Sequence, residues 1–109
     1  MAATYQIIYS PDAQKQIDDI LEYYLEEHSL NLAVSIQNAF LDASEKAAKI
    51  PITYPLDSRF ASGSDTDFRR IVTKNYSLIY GVVEVIGSII VVRVHHIKVG
   101  PDFFEKDLL

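Results

Sequence analysis

Residues 68–98 have the sequence FRRIVTKNYSLIYGVVEVIGSIIVVRVHHIK, which is typical of three consecutive β-strands. β-Branched and aromatic residues dominate this stretch. We predict turns at Lys74-Asn75 and at Ile86-Gly87-Ser88, because Asn and Gly tolerate the positive φ of a tight hairpin. Residues 76–85 and 89–97 are apolar at both alternating positions, so the pattern predicts a sheet that is covered on both of its faces.

The charge of the chain is unevenly distributed. The net charge over 109 residues is −5, which argues against nucleic-acid binding by the whole surface. Residues 69–98 nevertheless contain five basic residues and a single acid, Glu84, so their net charge is +4. This basic patch has two interpretations, a binding site and a solvated strand face, and the charge pattern leaves both open.

Composition restricts the class of protein. The length predicts one domain, residues 1–109. The absence of cysteine excludes disulfides and thiolate metal sites and suits the reducing cytoplasm. We find no signal peptide pattern and no apolar run of transmembrane length, so we predict a cytoplasmic protein without membrane contact. The sequence contains no Gly-rich phosphate loop and no pattern of a hydrolytic triad, and we predict neither a cofactor nor a metal.

The first half of the chain predicts a strand followed by two helices. Residues 4–9 (TYQIIY) form a short β-rich run, and Ser10-Pro11-Asp12 then predicts a helix start with Ser at the N-cap. Ser29 or Asn31 is the predicted cap of a second helix, which Pro51 ends. Apolar residues at helical spacing are the predicted core of the two helices: Ala13, Ile17, Ile20, Leu21, Tyr24 and Leu25 in the first, and Ala33, Ile36, Phe40, Ala43, Ala47 and Ile50 in the second.

This order predicts an α+β fold of the form β-α-α-β-β-β. An N-terminal strand precedes an antiparallel helical hairpin, which packs on one face of a mostly antiparallel sheet completed by the C-terminal three-stranded meander. The other apolar face is predicted to be covered by a second polypeptide. Residues 52–66 have no clear period and form a long connection, of a kind that is often functional or mobile. Phe103, Phe104, Leu108 and Leu109 are candidates for docking the C-terminal tail.

The candidate site residues are the basic residues of the meander and their aromatic neighbours. Successive side chains of a strand point to opposite faces. Arg69 and Arg70 therefore cannot share a face, and neither can Arg93 and His96 unless a bulge intervenes, so at most about half of the set converges on one site. Each arginine has an alternative role in an ion pair with the acidic helices. Of His95 and His96, one is expected to pack within the sheet and the other is a candidate for titration.

Several motifs resemble the RelE/ParE superfamily of type II toxins. They are Phe68 to Val72 (FRRIV), residues 75–80 (NYSLIY) and residues 92–96 (VRVHH), supported by residues 5–11 (YQIIYSP) and 51–56 (PITYPL). The likeness covers nearly the whole chain and has the same element order. It is closest to the ParE-like branch, the plasmid stabilisation toxins, and implies one half of a toxin–antitoxin system.

The resemblance implies two alternative activities. ParE-like toxins inhibit DNA gyrase by a protein–protein contact and need no catalytic residues. RelE-like toxins are ribosome-dependent mRNA endonucleases, for which Arg69, Arg70, Arg93, His96 and Lys98 would be the catalytic candidates. Ser77 stands where RelE-like chains commonly carry Arg, and Phe103-Phe104 stands near their C-terminal Tyr, so the ParE-like alternative is favoured. A third alternative is a non-toxic binding module that retains the fold.

The resemblance also implies a cognate antitoxin, part of which is disordered and folds on the toxin. Such a segment would supply the cover that the second apolar face requires. The residues implied to bind the target or the antitoxin are Arg69, Arg70, Lys74, Tyr76, Arg93, His96, Lys98, Phe103 and Phe104. The target is DNA gyrase in the first alternative, and the ribosome with its mRNA in the second.

Overall fold

The computed structural model describes residues 4–57 and 67–97. The predicted order β-α-α-β-β-β is confirmed, with two short 3₁₀ turns in addition. The elements are β1 Gln6–Tyr9, α1 Pro11–Glu27, α2 Leu30–Lys49, a 3₁₀ turn Pro51–Thr53, β2 Phe68–Thr73, β3 Tyr76–Val83, a 3₁₀ turn Glu84–Ile86, and β4 Ser88–His96. The predicted tail contacts of Phe103, Phe104, Leu108 and Leu109 lie outside the described residues. No helix in the described ranges is long and apolar enough to cross a membrane.

The four strands form one sheet in the order β1-β4-β3-β2. The meander β2-β3-β4 is antiparallel throughout, whereas β1 pairs with β4 in parallel. The parallel pair follows from the connection, because the helical hairpin carries the chain back to the end of the sheet at which β1 began. The predicted mostly antiparallel sheet is therefore confirmed.

The two strand connections differ in kind. Lys74 and Asn75 both have positive φ, 52° and 68°, as a two-residue type I′ hairpin requires. The second connection is longer than predicted, since β3 ends at Val83 and the next three residues form a 3₁₀ turn. Gly87 closes that turn in the left-handed region, where its N–H donates to the Glu84 carbonyl.

The helix boundaries follow the predicted capping residues. Ser10 Oγ accepts a hydrogen bond from the Ala13 N–H, and Ser29, rather than Asn31, does the same for the Leu32 N–H, both at 3.1 Å. The prediction of core residues is wrong at two positions, since Leu25 is 50% exposed and Ile50 is 58% exposed. Leu25 lies in the last turn of α1 and Ile50 is the C-cap of α2, where the helices end and packing against the sheet is lost.

The hydrophobic core lies between the helical hairpin and one face of the sheet, here called the helix side. Ile17, Phe40, Leu78, Tyr80, Ile89, Val91 and Val94 are among its buried members. A β-bulge lies in β4, because Ile79 pairs with Arg93 while Tyr80 pairs with Val91. The extra residue allows Val91 and Val94, three positions apart, to face the helices together.

Candidate functional site

The face of the sheet opposite the helices, here called the second face, is defined by the strand register. Residues paired across strands share a face, and Leu78, Tyr80 and Val91 mark the helix side. The second face then contains Gln6, Ile8, Phe68, Arg70, Val72, Ser77, Ile79, Gly81, Val83, Ser88, Ile90, Arg93 and His95. None of these side chains is acidic and two are arginines, so the residues of this face are a mixture of apolar and polar side chains with a net positive charge.

Arg70 and Arg93 lie on either side of Ile79 in one row across β2, β3 and β4. Neighbouring strands are about 4.8 Å apart, so the two arginine Cα atoms are separated by about 10 Å. Ile79 is fully buried, whereas Val72 in the adjacent row is 52% exposed. Two guanidinium groups near an exposed apolar side chain such as Val72 suit a peptide that carries both carboxylates and apolar side chains.

Arg69 has a different environment from Arg70. It pairs with Tyr80 on the helix side, and its Nη1 donates to the Tyr54 carbonyl at 2.7 Å. The Tyr80 hydroxyl donates to the Pro51 carbonyl at 2.5 Å. Burial raises the pKa of Tyr80 to about 12, and the Arg69 charge opposes that rise. Arg69 and Tyr80 therefore hold the segment that follows α2 against the sheet.

Tyr76 and His96 also lie on the helix side. The Tyr76 ring makes edge contacts with Phe40 and His96, with centroids 5.3 and 5.0 Å apart. Its hydroxyl is 3.2 Å from that of Tyr24. Burial is the main cause that raises the pKa of Tyr76, and the bond to Tyr24 adds to it. Tyr76 is thus a neutral core residue that joins α1, α2 and the sheet.

A groove of about 480 Å³ lies between α1 and the end of β4. Its lining residues are Gln16, Asp19, Ile20, Tyr23, Tyr76, Val94, His95 and His96. Gln16 Oε1 accepts a hydrogen bond from the Val94 N–H at 2.6 Å, at a position that β1 does not reach. No pattern in the sequence indicates this groove, because Gln16 is an ordinary polar residue in a helix.

The described ranges contain no group of three or more His, Cys, Asp or Glu residues able to hold a metal ion.

The comparison with protein families is decisive for the class of protein. The family model "ParE toxin of type II toxin-antitoxin system, parDE" matches residues 7–98 of the chain. The chain belongs to this ParE toxin family. It is therefore the toxin of a type II toxin–antitoxin system, and the predicted membership of the RelE/ParE superfamily is confirmed.

Solved structures agree with this fold. The structure "Chromosomal ParDE TA system from P. aeruginosa" has a TM-score of 0.68 at 11% identity and covers 86% of this chain and 97% of that chain. The toxin–antitoxin complex RelBE2 from Mycobacterium tuberculosis has a TM-score of 0.55 at 12% identity, covering 88% of this chain and 94% of that chain. No curated protein matches the sequence. At these identities the structural likeness shows the fold alone.

The structure divides the predicted site of this ParE-family toxin between the two faces. Arg70 and Arg93 lie on the second face, whereas Arg69, Tyr76 and His96 lie on the helix side. Lys74 is exposed in the β2–β3 turn. Lys98, Phe103 and Phe104 lie outside the described residues. This placement agrees with the expectation that at most about half of the predicted site residues converge on one site. The nuclease candidates within the described ranges, Arg69, Arg70, Arg93 and His96, do not share a face.

Proposed function

We propose that this chain inhibits growth by binding DNA gyrase, and that a cognate antitoxin neutralises it by covering the second face. Family membership supports the toxin function, and the two similar solved structures are of toxin–antitoxin systems. The observation that carries the antitoxin part is the arrangement on the second face, where Arg70 and Arg93 lie on either side of Ile79 and the strand residues of the described ranges include no acid. Both partners are expected in the cytoplasm.

The chemistry of the antitoxin segment follows from this face. A chain that folds on it would contribute apolar side chains over Val72 and Ile90 and carboxylates near Arg70 and Arg93. The ordering of such a segment costs conformational entropy, which the burial of apolar surface offsets. We therefore expect an acidic, partly disordered antitoxin, encoded by a small neighbouring gene.

A protein contact is favoured over RNA cleavage by the position of the candidate catalytic groups. A nuclease needs its proton donor and its phosphate ligands to meet at one reacting bond. Arg69 is bonded to the Tyr54 carbonyl, and His96 contacts Tyr76 on the helix side. Of the candidates within the described ranges, Arg70 and Arg93 alone remain together, with the small hydroxyl of Ser77 in the next row.

Induction of the chain in growing cells tests this function. We expect growth arrest with a DNA-damage response while total mRNA stays intact, because a gyrase poison acts on DNA topology. Gyrase supercoiling with purified protein is the matching measurement in vitro. Co-expression of the neighbouring gene serves as the control, since it should restore growth. Rapid loss of mRNA on translating ribosomes would instead establish a nuclease, and normal growth would contradict the toxin function.

A further inference from the structure

The β3–β4 connection presents two large apolar side chains to solvent. Val85 is 94% exposed and Ile86 is 54% exposed, and we call this pair the apolar tip. Turns are usually occupied by Gly, Asn, Asp, Ser or Pro, each of which has a local reason to be there. Val85 and Ile86 offer the turn neither a special backbone conformation nor a side-chain hydrogen bond. Burial of both side chains by a partner would be favourable.

Hydrogen bonds from other parts of the chain hold the apolar tip in place. The Tyr5 hydroxyl donates to the Glu84 carboxylate, 2.8 Å from Oε1 and 2.9 Å from Oε2. The Gln6 N–H donates to the Gly87 carbonyl at 2.9 Å, and the hydroxyl of Ser88 donates to the Ile86 carbonyl at 3.2 Å. The turn is therefore held by Tyr5 and Gln6 at the start of β1 and by the local bond of Ser88, and binding through it would cost little conformational entropy.

We propose that the apolar tip is the contact through which the toxin binds its target, by insertion of Val85 and Ile86 into an apolar pocket of a folded protein. This inference rests on the toxin function proposed above. A few apolar anchors in a desolvated pocket carry most of the binding energy of a typical interface. Two adjacent aliphatic side chains on a rigid turn have the form of such an anchor.

Charge separates this contact from the antitoxin surface. The only charged residue between Val83 and Ser88 is the acid Glu84, so an acidic segment gains nothing by binding there. The pocket that receives the tip is therefore neutral or basic at its rim. The tip also lies beyond the arginine row, since Ile79 and Val83 are four residues, or about 13 Å, apart along β3.

A double variant tests the inference. Val85→Ser with Ile86→Ser removes the apolar tip, and Leu30→Ser with Val34→Ser is the matched control at the helical hairpin, where the parent residues are 66% and 43% exposed. We expect the tip variant to kill about tenfold fewer cells on induction than the parent. The control variant should kill like the parent, and both variants should bind the co-expressed antitoxin within about twofold of it, since exposed substitutions rarely disturb a fold.

Thermal melting of each purified protein shows whether it is folded. If the double variant does not fold, Val85→Thr, which keeps the β-branched shape, replaces it in the same assays. A folded tip variant that kills like the parent overturns this inference alone. A parallel loss of antitoxin binding also overturns it, because the tip would then belong to the antitoxin interface. An inert parent chain overturns the toxin function, and this inference with it.

Discussion

Arg69 and Arg70 show how far one position can change the role of a side chain. The two residues are adjacent in β2 and chemically identical, yet the Arg69 guanidinium donates to the Tyr54 carbonyl on the helix side at 2.7 Å. Arg70 faces the other way, and its bond to the Leu56 carbonyl is longer, at 3.3 Å. Alternation along a strand predicts that they diverge, but only the register identifies Arg69 as the structural residue.

Substitution by methionine should separate the two arginines in stability. Arg69→Met keeps the aliphatic stem but removes a charged donor from a part-buried carbonyl, so we expect a loss of about 1.5–3 kcal/mol in the free energy of unfolding. Arg70→Met should change it by less than about 1 kcal/mol, because this side chain is near the surface. Urea unfolding followed by circular dichroism gives both values. Equal losses of unfolding free energy for the two variants would contradict the structural role assigned to Arg69.

The motif residues Tyr76 and Tyr80 are buried members of the core. Tyr76 contacts Phe40 and His96, and the Tyr80 hydroxyl donates to the Pro51 carbonyl. The resemblance predicted that Tyr76 binds the target or the antitoxin. Its burial, with 6% of its surface exposed, instead favours a role in joining the sheet to the helices.

At the scale of the elements, local signals in the sequence predicted the helix starts and the first hairpin but not the features that depend on strand pairing. The helix start at Ser10 and the hairpin at Lys74-Asn75 depend on residues next to one another and were predicted, and Ser29 was one of the two caps, with Asn31, predicted for the second helix. The bulge at Val92 was not, because it depends on how β4 pairs with β3. The sequence does not predict the 3₁₀ turn after Val83 either, because the apolar residues of that turn continue the pattern of the preceding strand.

The two N-caps provide a matched test of element stability. Ser10 Oγ accepts from the Ala13 N–H and also donates to the Val92 carbonyl at 3.3 Å, whereas Ser29 is exposed and makes the capping bond at 3.1 Å. We expect Ser10→Ala to cost about 1–2 kcal/mol of unfolding free energy and Ser29→Ala about 0.5–1 kcal/mol. Chemical denaturation measures both. Ser10→Thr retains the hydroxyl and should recover most of the loss. A larger loss of unfolding free energy for Ser29→Ala than for Ser10→Ala would show that the second hydrogen bond of Ser10 does not contribute to stability.

At the scale of the whole molecule, the sequence predicted the fold more completely than the candidate site. The basic patch was visible in the sequence, but its division between the two faces required the register of three strands. The sequence does not reveal the apolar tip, because its pattern extends the predicted strand to Val85, and an apolar residue in a strand needs no explanation. Exposure is a property of the folded chain, and composition alone does not report it.

The charge of the second face leads to a prediction about salt. In the proposed complex Arg70 and Arg93 would attract an acidic antitoxin segment from a distance, and ions screen such an attraction with a Debye length of about 10 Å at 0.1 M salt. We expect the rate at which toxin and antitoxin associate, measured by stopped-flow fluorescence, to fall roughly three- to tenfold between low and high salt. The rate at which the complex dissociates should change little.

Removal of the two charges should remove this dependence on salt. Arg70→Gln with Arg93→Gln leaves the apolar side chains of the second face in place. The variant should therefore still bind the antitoxin, but slowly at every salt concentration. Lys49→Gln, at the end of α2 in the helical layer, is the control and should keep the salt dependence of the parent. If the double variant and the parent lose association rate equally as salt rises, the attracting charges lie elsewhere, and the antitoxin reaches the toxin by another surface.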